Sequence, residues 1–371
     1  MLLTAIVFIV ILSVLVIVHE LGHYYTARKL GVKIEEFGIG FPPKATSIKS
    51  KKTGIEYSVN WLPLGGFVKI KGEDGENKDD KDSFSHKKIW KRVVIISAGV
   101  FMNFVLACVL LSIAFMIGAP SVIDNGTDAS RIKDPQVQVY EILDDSPAQE
   151  IGLKAADSIL KVDEVEIKET GELSGYLKDK ENQEVTLQIK RFDEQKEFTV
   201  IPEYIEEIDG TGIGVSVVKT GIVSYPWHKS IWLGAKTGVL MTGQIVKGLA
   251  VIIKNLVTTG EAGLEVAGPV GIAVLTGQMT RMGINYVINF AAILSLNLMI
   301  INFLPIPALD GGRVLFLIIE KIRGKAIKPK IENLIHTIGF ALLILLIIII
   351  TGRDVFKFKD VFVGIWDKIF Q

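Results

Sequence analysis

Residues 19–23, H-E-L-G-H, carry side chains that can hold and use a metal ion. His19 and His23 are four residues apart, so a helix places both imidazoles on one face, about one turn apart. That spacing suits two positions of a tetrahedral zinc ion, and Glu20 can polarise a water bound beside the first histidine. Zinc lowers the pKa of such a water to about 7 and polarises a carbonyl. We therefore predict a peptidase-type Zn²⁺ site in which Glu20 is the general base.

A third ligand is expected, because catalytic zinc sites have three protein ligands and one open position. The best candidate is Asp310, in the sequence N-F-L-P-I-P-A-L-D-G-G at residues 302–312. Two prolines end the preceding helix, and Gly311 and Gly312 permit an extended backbone after Asp310. Irregular backbone at membrane depth is tolerated only where it is buried in protein or lines a cavity. The segment is thus predicted to place Asp310 at the depth of His19 and His23.

The site must be positioned by membrane helices. The chain has 371 residues, of which 49% are hydrophobic, and its apolar runs are too long for core helices of a soluble protein. Four segments are predicted to span a bilayer: residues 1–27, 93–118, 285–312 and 334–351. The first lacks a basic start and a small-residue cleavage site, so we expect it to remain attached.

Charge predicts the orientation of these spans. Residues 28–92 carry 15 basic and 9 acidic side chains, and residues 313–330 carry 6 and 1. The positive-inside rule makes both segments cytoplasmic, with a loop at residues 313–333. Residues 122–210 carry 23 acidic and 10 basic side chains, so this domain is expected outside. His19 and Asp310 then both lie near the cytoplasmic end of a span.

Three further segments complete the predicted organisation. Residues 28–92 alternate apolar and polar positions with Gly and Pro, which indicates β-hairpins on the cytoplasmic side followed by a charged loop. Residues 122–217 have the pattern of a compact α/β domain. Residues 226–284 contain an amphipathic helix whose Lys236, Lys247 and Lys254 lie within about 20° of one another, which favours a helix on the membrane surface. Residues 352–371 form a C-terminal tail.

The remaining polar residues of the spans leave alternatives open. Asn103 and Asn302 could each hold a substrate backbone or only pair helices. Cys108, the single cysteine, is interpreted as a small packing residue. His86, His228 and His336 are interpreted as interfacial residues. The basic residues follow the membrane edges, without a nucleic-acid patch, and no phosphate-binding loop is found, so we expect neither nucleic acid nor nucleotide as a partner.

Taken together, these motifs resemble the site-2 protease family, and most closely its bacterial regulator-of-sigma-E branch. The resemblance rests on HExxH in the first span, LDG in the third, GxxxN at Gly99–Asn103 and A-G-P-V-G-I-A at residues 267–273. In addition, the series S-P-A…G-L…D-x-I-L-x-V resembles a bacterial PDZ domain. The implied fold is a polytopic α-helical membrane protein with four transmembrane helices, a cytoplasmic-side membrane-associated β-hairpin region and one inserted extracytoplasmic PDZ domain.

Family membership would imply a zinc-dependent intramembrane endopeptidase of the bacterial inner membrane. Its substrates would be single-pass membrane proteins, such as anti-sigma factors, and leftover signal peptides. By motif, His19, His23 and Asp310 would be the ligands and Asn302 would hold substrate. The strands ending in P-L-G-G, with Gly65 and Gly66, would match a membrane-reentrant β-loop whose edge pairs with an unwound substrate. The PDZ groove would bind a peptide C-terminus or only exclude bulky ectodomains.

The sequence departs from this branch in three places. It accommodates one PDZ domain where many relatives have two, Arg313 follows LDGG where histidine is frequent, and Val100 stands where proline is common. Two other classes of protein remain possible at this point. A membrane-anchored PDZ adaptor would hold no stoichiometric zinc, and a metal transporter would move ions and be indifferent to the basicity of Glu20.

Overall fold

The computed structural model describes residues 2–123, 128–192, 194–206, 209–259 and 267–357, except for the side chain of Leu64. It has two compact units, each considered by itself. The helical unit comprises Met1–Leu111, Gly234–Gly277 and Phe290–Gln371, and the sheet unit comprises Ser112–Leu233 and Gln278–Asn289.

The helices and strands follow one another in an order close to the predicted one. The helices are α1 (Leu2–Lys29), α2 (Ile89–Ile117), α3 (Pro147–Glu150), α4 (Thr170–Lys178), α5 (Trp227–Thr258), α6 (Pro269–Met282), α7 (Ile284–Phe303), α8 (Asp310–Arg323) and α9 (Pro329–Lys357). The strands are β1 (Ile34–Lys49), β2 (Glu56–Ile70), β3 (Ala119–Val122), β4 (Ile132–Ile142), β5 (Ser158–Val162), β6 (Val165–Glu166), β7 (Val185–Arg191), β8 (Glu194–Val200), β9 (Glu203–Ile205), β10 (Gly210–Gly212) and β11 (Val215–Val223).

Five helices of the described chain are long and apolar enough to cross a membrane by length and composition: α1, α2, α5, α7 and α9. Four of them correspond to the predicted spans. The fifth, α5, is the least apolar of the set and coincides with the segment predicted to lie on the membrane surface. Its length of 32 residues is sufficient for either arrangement.

The predicted strands after α1 form a sheet of unusual register. The first half of β1 lies between the two halves of β2, so that Gly38 pairs with both Ser58 and Phe67. The last segment of β2, residues 66–70, is therefore at one edge of this sheet. Helix α1 ends at Lys29, followed by Gly31 at φ +74°, and this turn directs the chain into β1.

The sheet unit is built on a seven-stranded sheet. Its main strand order is β3-β11-β4-β5-β7-β8, with β6 paired to β5. The predicted turn and helix start are present: Ser146 caps α3 by accepting a hydrogen bond from the Gln149 N–H, and Gly152 ends the turn at φ +75°. One face of the sheet buries aliphatic side chains such as Val137, Ile159 and Ile189. Burial stabilises each such side chain by about 1.5–3 kcal/mol.

The backbone at the LDGG sequence differs from the prediction. Helix α7 ends at Phe303, before the two prolines, as expected. However, the expectation of an extended backbone at Gly311 and Gly312 is wrong, because both lie in the first turn of α8. A Cβ atom on Gly311 would lie 2.2 Å from the carbonyl oxygen of Leu304, and one on Gly312 would lie 2.3 Å from that of Ile306. The glycines therefore allow close packing of α8 against the preceding loop.

Candidate active site

Three side chains from distant parts of the helical unit converge on one point. Asp310 Oδ2 lies 3.0 Å from His19 Nε2 and 3.4 Å from His23 Nε2, and the two Nε2 atoms are 3.1 Å apart. Both histidines are buried. Asp310 is the first residue of α8, and the histidines face it from one side of α1. The structure thus brings together the three ligands predicted from the sequence.

These separations fit a tetrahedral zinc ion. Two ligand atoms about 2.0–2.1 Å from such an ion lie about 3.3 Å from each other, close to the three measured distances. Oδ2 of Asp310 is also a buried oxygen without a hydrogen-bond partner. A buried acceptor facing two imidazole nitrogens is costly unless a cation or a proton lies between them. The donor set of two imidazoles and one carboxylate is one that zinc accepts in peptidase sites.

The second nitrogen of each histidine has a partner outside the cluster. His23 Nδ1 lies 2.9 Å from the carbonyl oxygen of Ile95, so Nδ1 donates and the lone pair of Nε2 faces Asp310. His19 Nδ1 lies 3.3 Å from the side-chain amide of Asn103. The amide oxygen of Asn103 is buried without a partner. Exchanging the amide oxygen and nitrogen would let that oxygen accept from His19 Nδ1–H.

Helix α2 can reach the histidines because it presents glycine to them. A Cβ atom on Gly99 would lie 2.3 Å from His23 Nε2 and 2.8 Å from Cε1 of His19. Four residues later, Asn103 is fully buried, and its carbonyl oxygen accepts a hydrogen bond of 2.8 Å from Ser295 of α7. The GxxxN spacing therefore leaves space for both histidines and supplies a partner for His19.

Glu20 lies beside the three converging side chains and contacts the edge of the β1–β2 sheet. Its carboxylate lies near the backbone amide of Val68. Val68 belongs to the edge segment of β2. This edge segment is therefore next to Glu20.

The loop that precedes Asp310 is held from α9. Ala308 has a positive φ of +78°, which is unfavourable for a residue with a Cβ atom. Its N–H donates a hydrogen bond of 2.8 Å to His336 Nδ1. One turn after Asp310, Arg313 of α8 forms an ion pair with Glu73, which follows β2. These contacts fix both sides of the predicted third ligand.

The other predicted site residues lie in different surroundings. Asn302 is in the last turn of α7 and is partly exposed. Gly65 has φ +76°, and a Cβ on it would approach Val16 of α1 at 3.2 Å. Gly66 is in the edge segment of β2, where a Cβ would lie 2.9 Å from the carbonyl oxygen of Gly38. Asn103, predicted to hold substrate or pair helices, lies 3.3 Å from a histidine of the site.

Three contributors to the site were not found from the sequence. Two are the backbone groups of Ile95 and Val68, which no residue type can signal. The third is His336, which the sequence predicts to be interfacial. A histidine inside a span is also a functional candidate by default, as the HExxH residues are. Asp354, assigned to the tail, is not part of the site: it is buried in α9, where its Oδ2 accepts a 2.7 Å hydrogen bond from the backbone N–H of Gly271 at the start of α6. A helix N-terminus stabilises such a carboxylate.

The fold and the converging side chains define a class of protein: a metallopeptidase with helices able to cross a membrane. The chain belongs to Peptidase family M50, the site-2 protease family, whose sequence profile matches residues 7–346.

Similar proteins extend over nearly the whole chain. A Clostridium acetobutylicum protein with the provisional name zinc metalloprotease is 35% identical over 346 residues, which cover 92% of this chain and 94% of the relative. The regulator of sigma-W protease RasP of Bacillus subtilis is 30% identical, over 95% of this chain and 98% of RasP. The zinc metalloprotease RasP of Geobacillus kaustophilus is 31% identical, over 95% and 97%.

Among solved structures, the PDZ domain of an SdrC-like protein from Listeria monocytogenes is 25% identical to part of this chain. The match covers 23% of this chain and 90% of that domain, with a TM-score of 0.21.

Proposed function

We propose that this protein is a zinc-dependent intramembrane endopeptidase that cleaves the transmembrane segments of single-pass membrane proteins. The observation that carries the proposal is the convergence of His19, His23 and Asp310 within 4.8 Å of one another, beside Glu20. His19, His23 and Asp310 would hold Zn²⁺, and the zinc metalloprotease names of the relatives agree with this metal.

The chemistry divides between the metal and Glu20. Zinc, when bound, polarises the scissile carbonyl and acidifies the attacking water. Glu20 accepts the proton of that water and then donates it to the departing amine. The backbone amide of Val68 lies near the Glu20 carboxylate, on the side from which the substrate would approach. His23 Nδ1 donates to Ile95, which keeps its Nε2 lone pair free for the ion.

A substrate helix must unwind before water can attack its backbone, because helical carbonyls are hydrogen-bonded and shielded. The edge segment of β2 could replace the hydrogen bonds that the substrate helix loses. It is next to Glu20, and an extended substrate segment could add to it as a further strand. Gly65 precedes this segment and Gly66 starts it, and Asn302 would hold the substrate backbone from α7.

The arrangement in the membrane is part of the proposal. Four spans, α1, α2, α7 and α9, would place the β1–β2 sheet and the residue 313–333 segment on the cytoplasmic side of a bacterial inner membrane. Helix α5 would lie on the opposite surface, as its lysines favour. The acidic sheet unit would be extracytoplasmic. Exposed apolar side chains cover α9, including Leu342, Leu346 and Ile349, and require a lipid environment.

The sheet unit is proposed to be a PDZ domain. The S-P-A and G-L motifs that resemble PDZ sequences correspond to α3 and the turn at Gly152, in the position expected for that fold. Such a domain would bind a peptide C-terminus or exclude substrates with large ectodomains.

One substitution tests the function. Glu20→Gln should leave zinc bound at one ion per chain but abolish cleavage of a transmembrane reporter in vesicles, because the base is lost and the ligands remain. The matched control is Glu76→Gln, which changes an exposed residue of the charged loop and should cleave normally. Full activity of Glu20→Gln contradicts the proposal. Absence of zinc from the wild type would indicate an adaptor, and zinc transport into vesicles would indicate a transporter.

A further inference from the structure

The sheet unit contains a cleft that the proposed chemistry does not use. It has a volume of about 740 Å³ and lies on the face of the sheet opposite the aliphatic core. Gln136, Gln138 and Ser158 line it and alternate along β4 and β5 with the buried Val137 and Ile159. Strand geometry sends successive side chains to opposite faces, so the cleft is on the polar face. We call it the sheet cleft.

The other wall of the sheet cleft is the corner between α6 and α7. Gly283, at φ +120°, turns the chain between these helices, and both sides of the turn contribute residues. Met279 and Met282 supply flexible apolar surface, and Asn285 and Asn289 supply amide groups. No residue of α4 lines the cleft, which separates it from the groove between α4 and β11 where a PDZ domain would bind a peptide.

The charge of the sheet cleft is opposite to that of its domain. Residues 122–210 carry 10 basic and 23 acidic side chains. Four of the basic residues line the cleft: Lys133, Lys154, Lys190 and Arg191. Among the residues that the structure describes, two of the acidic ones do so, Asp134 and Asp157. Arg281 of α6 adds a further positive charge.

One of the two acidic side chains is already neutralised. Asp157 is buried and accepts hydrogen bonds from Arg191 at 2.6 and 2.7 Å. Among the described lining residues, Lys133, Lys154, Lys190 and Arg281 are then accompanied by one acidic residue, Asp134. A concentration of cations in an otherwise acidic domain selects anionic ligands and steers them to this place.

We propose that the sheet cleft binds an acidic, extended segment of the protein substrate, outside the segment that is cleaved. The inference rests on the proposed function and adds a substrate class to it. Substrates with acidic residues next to their transmembrane segment would be captured here before they reach the site at His19 and His23. The cleft is thus a second recognition site of the peptidase.

Three properties favour a polypeptide over a single anion such as a lipid phosphate. The cations come from β4, β7, the turn before β5 and α6, so they are distributed along the cleft. Amide and hydroxyl groups can bond to a substrate backbone: Ser158 Oγ already donates to Gln136 at 2.7 Å and accepts from Gln138 at 3.1 Å. The methionines can adapt to varied apolar side chains, as on other surfaces that bind many peptides.

Binding is tested on the full chain carrying Glu20→Gln, with zinc, in phosphatidylcholine nanodiscs. The probes are a fluorescein-labelled peptide that alternates Glu and Leu and a matched peptide with Gln in place of Glu. Fluorescence anisotropy should show tighter binding of the acidic peptide. Lys133→Glu with Lys190→Glu should weaken it by about tenfold or more, because two attractive charges become repulsive.

A charge-matched control distinguishes the effect of the cleft residues on binding from the effect of the net charge of the domain. Lys178→Glu with Lys196→Glu alters basic residues that do not line the cleft, and binding should be unchanged. Lys133→Gln with Lys190→Gln should weaken binding less than the double reversal does, and wild-type hydrogen-exchange protection of the β7 amides shows that its sheet unit is folded. Equal affinity for the two peptides, or equal loss in the control, overturns the proposal.

Two further arms distinguish other outcomes. If phosphatidylglycerol nanodiscs protect the cleft lysines from acylation while the acidic peptide does not bind, the cleft is a lipid site and the proposal is wrong.

Cleavage of reporters with acidic or neutral juxtamembrane segments distinguishes failure of the recognition site from failure of the proposed peptidase function. Equal cleavage of both reporters overturns the recognition site but leaves the peptidase intact, whereas cleavage of neither contradicts the proposed function and leaves the binding result valid.

Discussion

Oδ2 of Asp310 lies 3.0 Å from Nε2 of His19, although 291 positions separate the two residues (310 − 19 = 291). The contact joins the end of the loop after α7 to the C-terminal half of α1. The distribution of charge along the sequence predicts that this half lies near the cytoplasmic side. It depends on a helix start at Asp310, which directs the carboxylate toward the histidines, and on the hydrogen bond from Ala308 to His336. Zinc binding should therefore depend on α8 as much as on HExxH.

Asp310→Ala is expected to remove one ligand and reduce zinc affinity by more than the roughly 10- to 100-fold that loss of an outer partner costs. The measurement is zinc content by inductively coupled plasma mass spectrometry after dialysis against graded chelator. Asp79→Ala, in the exposed charged loop, is the control and should keep its zinc. Retention of wild-type affinity by Asp310→Ala would remove this residue from the ligand set.

Asn103 should act on zinc through His19. Asn103→Ala leaves His19 Nδ1 without its partner, and zinc affinity should fall by about 10- to 100-fold. Asn103→Asp offers a carboxylate oxygen to Nδ1–H and should recover most of the loss. Ser295→Ala removes the hydrogen bond to the Asn103 carbonyl but leaves the side-chain amide, so it controls for helix packing. If alanine and aspartate have the same zinc affinity, Asn103 does not position the histidine.

The sheet unit should lose stability in acid through Asp163. The pKa of this carboxyl is lowered by the Thr186 backbone N–H and the Tyr176 hydroxyl, at 2.8 and 2.7 Å. Because its pKa is lower in the folded state, its contribution is present above the unfolded value of about 3.9 and is lost as pH falls through the folded value. Protection of β7 amides in the wild type should exceed that in Asp163→Asn at pH 7.

The difference between these two proteins should shrink as the pH approaches 3. The difference in protection is measured on peptides that contain β7, by hydrogen exchange and mass spectrometry. The exchange rates are corrected for the effect of pH on intrinsic exchange. Asp144→Asn, an exposed change outside this hydrogen-bond pair, should show no such pH dependence. A difference that is constant between pH 7 and pH 3 would contradict the assignment to Asp163.

The orientation of α5 can be read from its lysines. Lys229, Lys236, Lys247 and Lys254 are exposed and lie within about 20° on one side of the helix, whereas Gly234 and Gly238 are buried on the opposite side. If α5 lies on the membrane surface, Lys229→Cys and Lys254→Cys, made in a Cys108→Ser background, should both react with an impermeant maleimide from the outer side. The two positions are about 38 Å apart along the helix, enough to reach both surfaces if α5 crosses.

Markers on each side complete that experiment. Lys168→Cys, in the sheet unit, and Lys91→Cys, at the start of α2, should label from opposite sides of the membrane. If Lys229→Cys is labelled from the same side as one marker and Lys254→Cys from the same side as the other, α5 spans the membrane. The four-span topology would then be wrong.

The sequence by itself determined the features that depend on neighbours along the chain. The i, i+4 spacing placed His19 and His23 on one face of α1, the prolines ended α7, and alternation with glycines and prolines produced β1 and β2. The same local patterns placed α3 at Ser146. Such periodicities are properties of single helices and strands, so they can be read without knowing what lies next to them.

Only the tertiary structure decided the contacts between these elements. It turned Asn103 toward His19 and brought the backbone of Val68 next to Glu20. It also made His336 the hydrogen-bond acceptor that holds the loop before Asp310. It also made Gly311 and Gly312 helical. Their lack of Cβ atoms allows α8 to pack closely against the carbonyl groups of the preceding loop. The sheet cleft likewise assembles cations from four separate elements. Contacts of this kind are set by packing across hundreds of positions, and no local spacing in the chain encodes them.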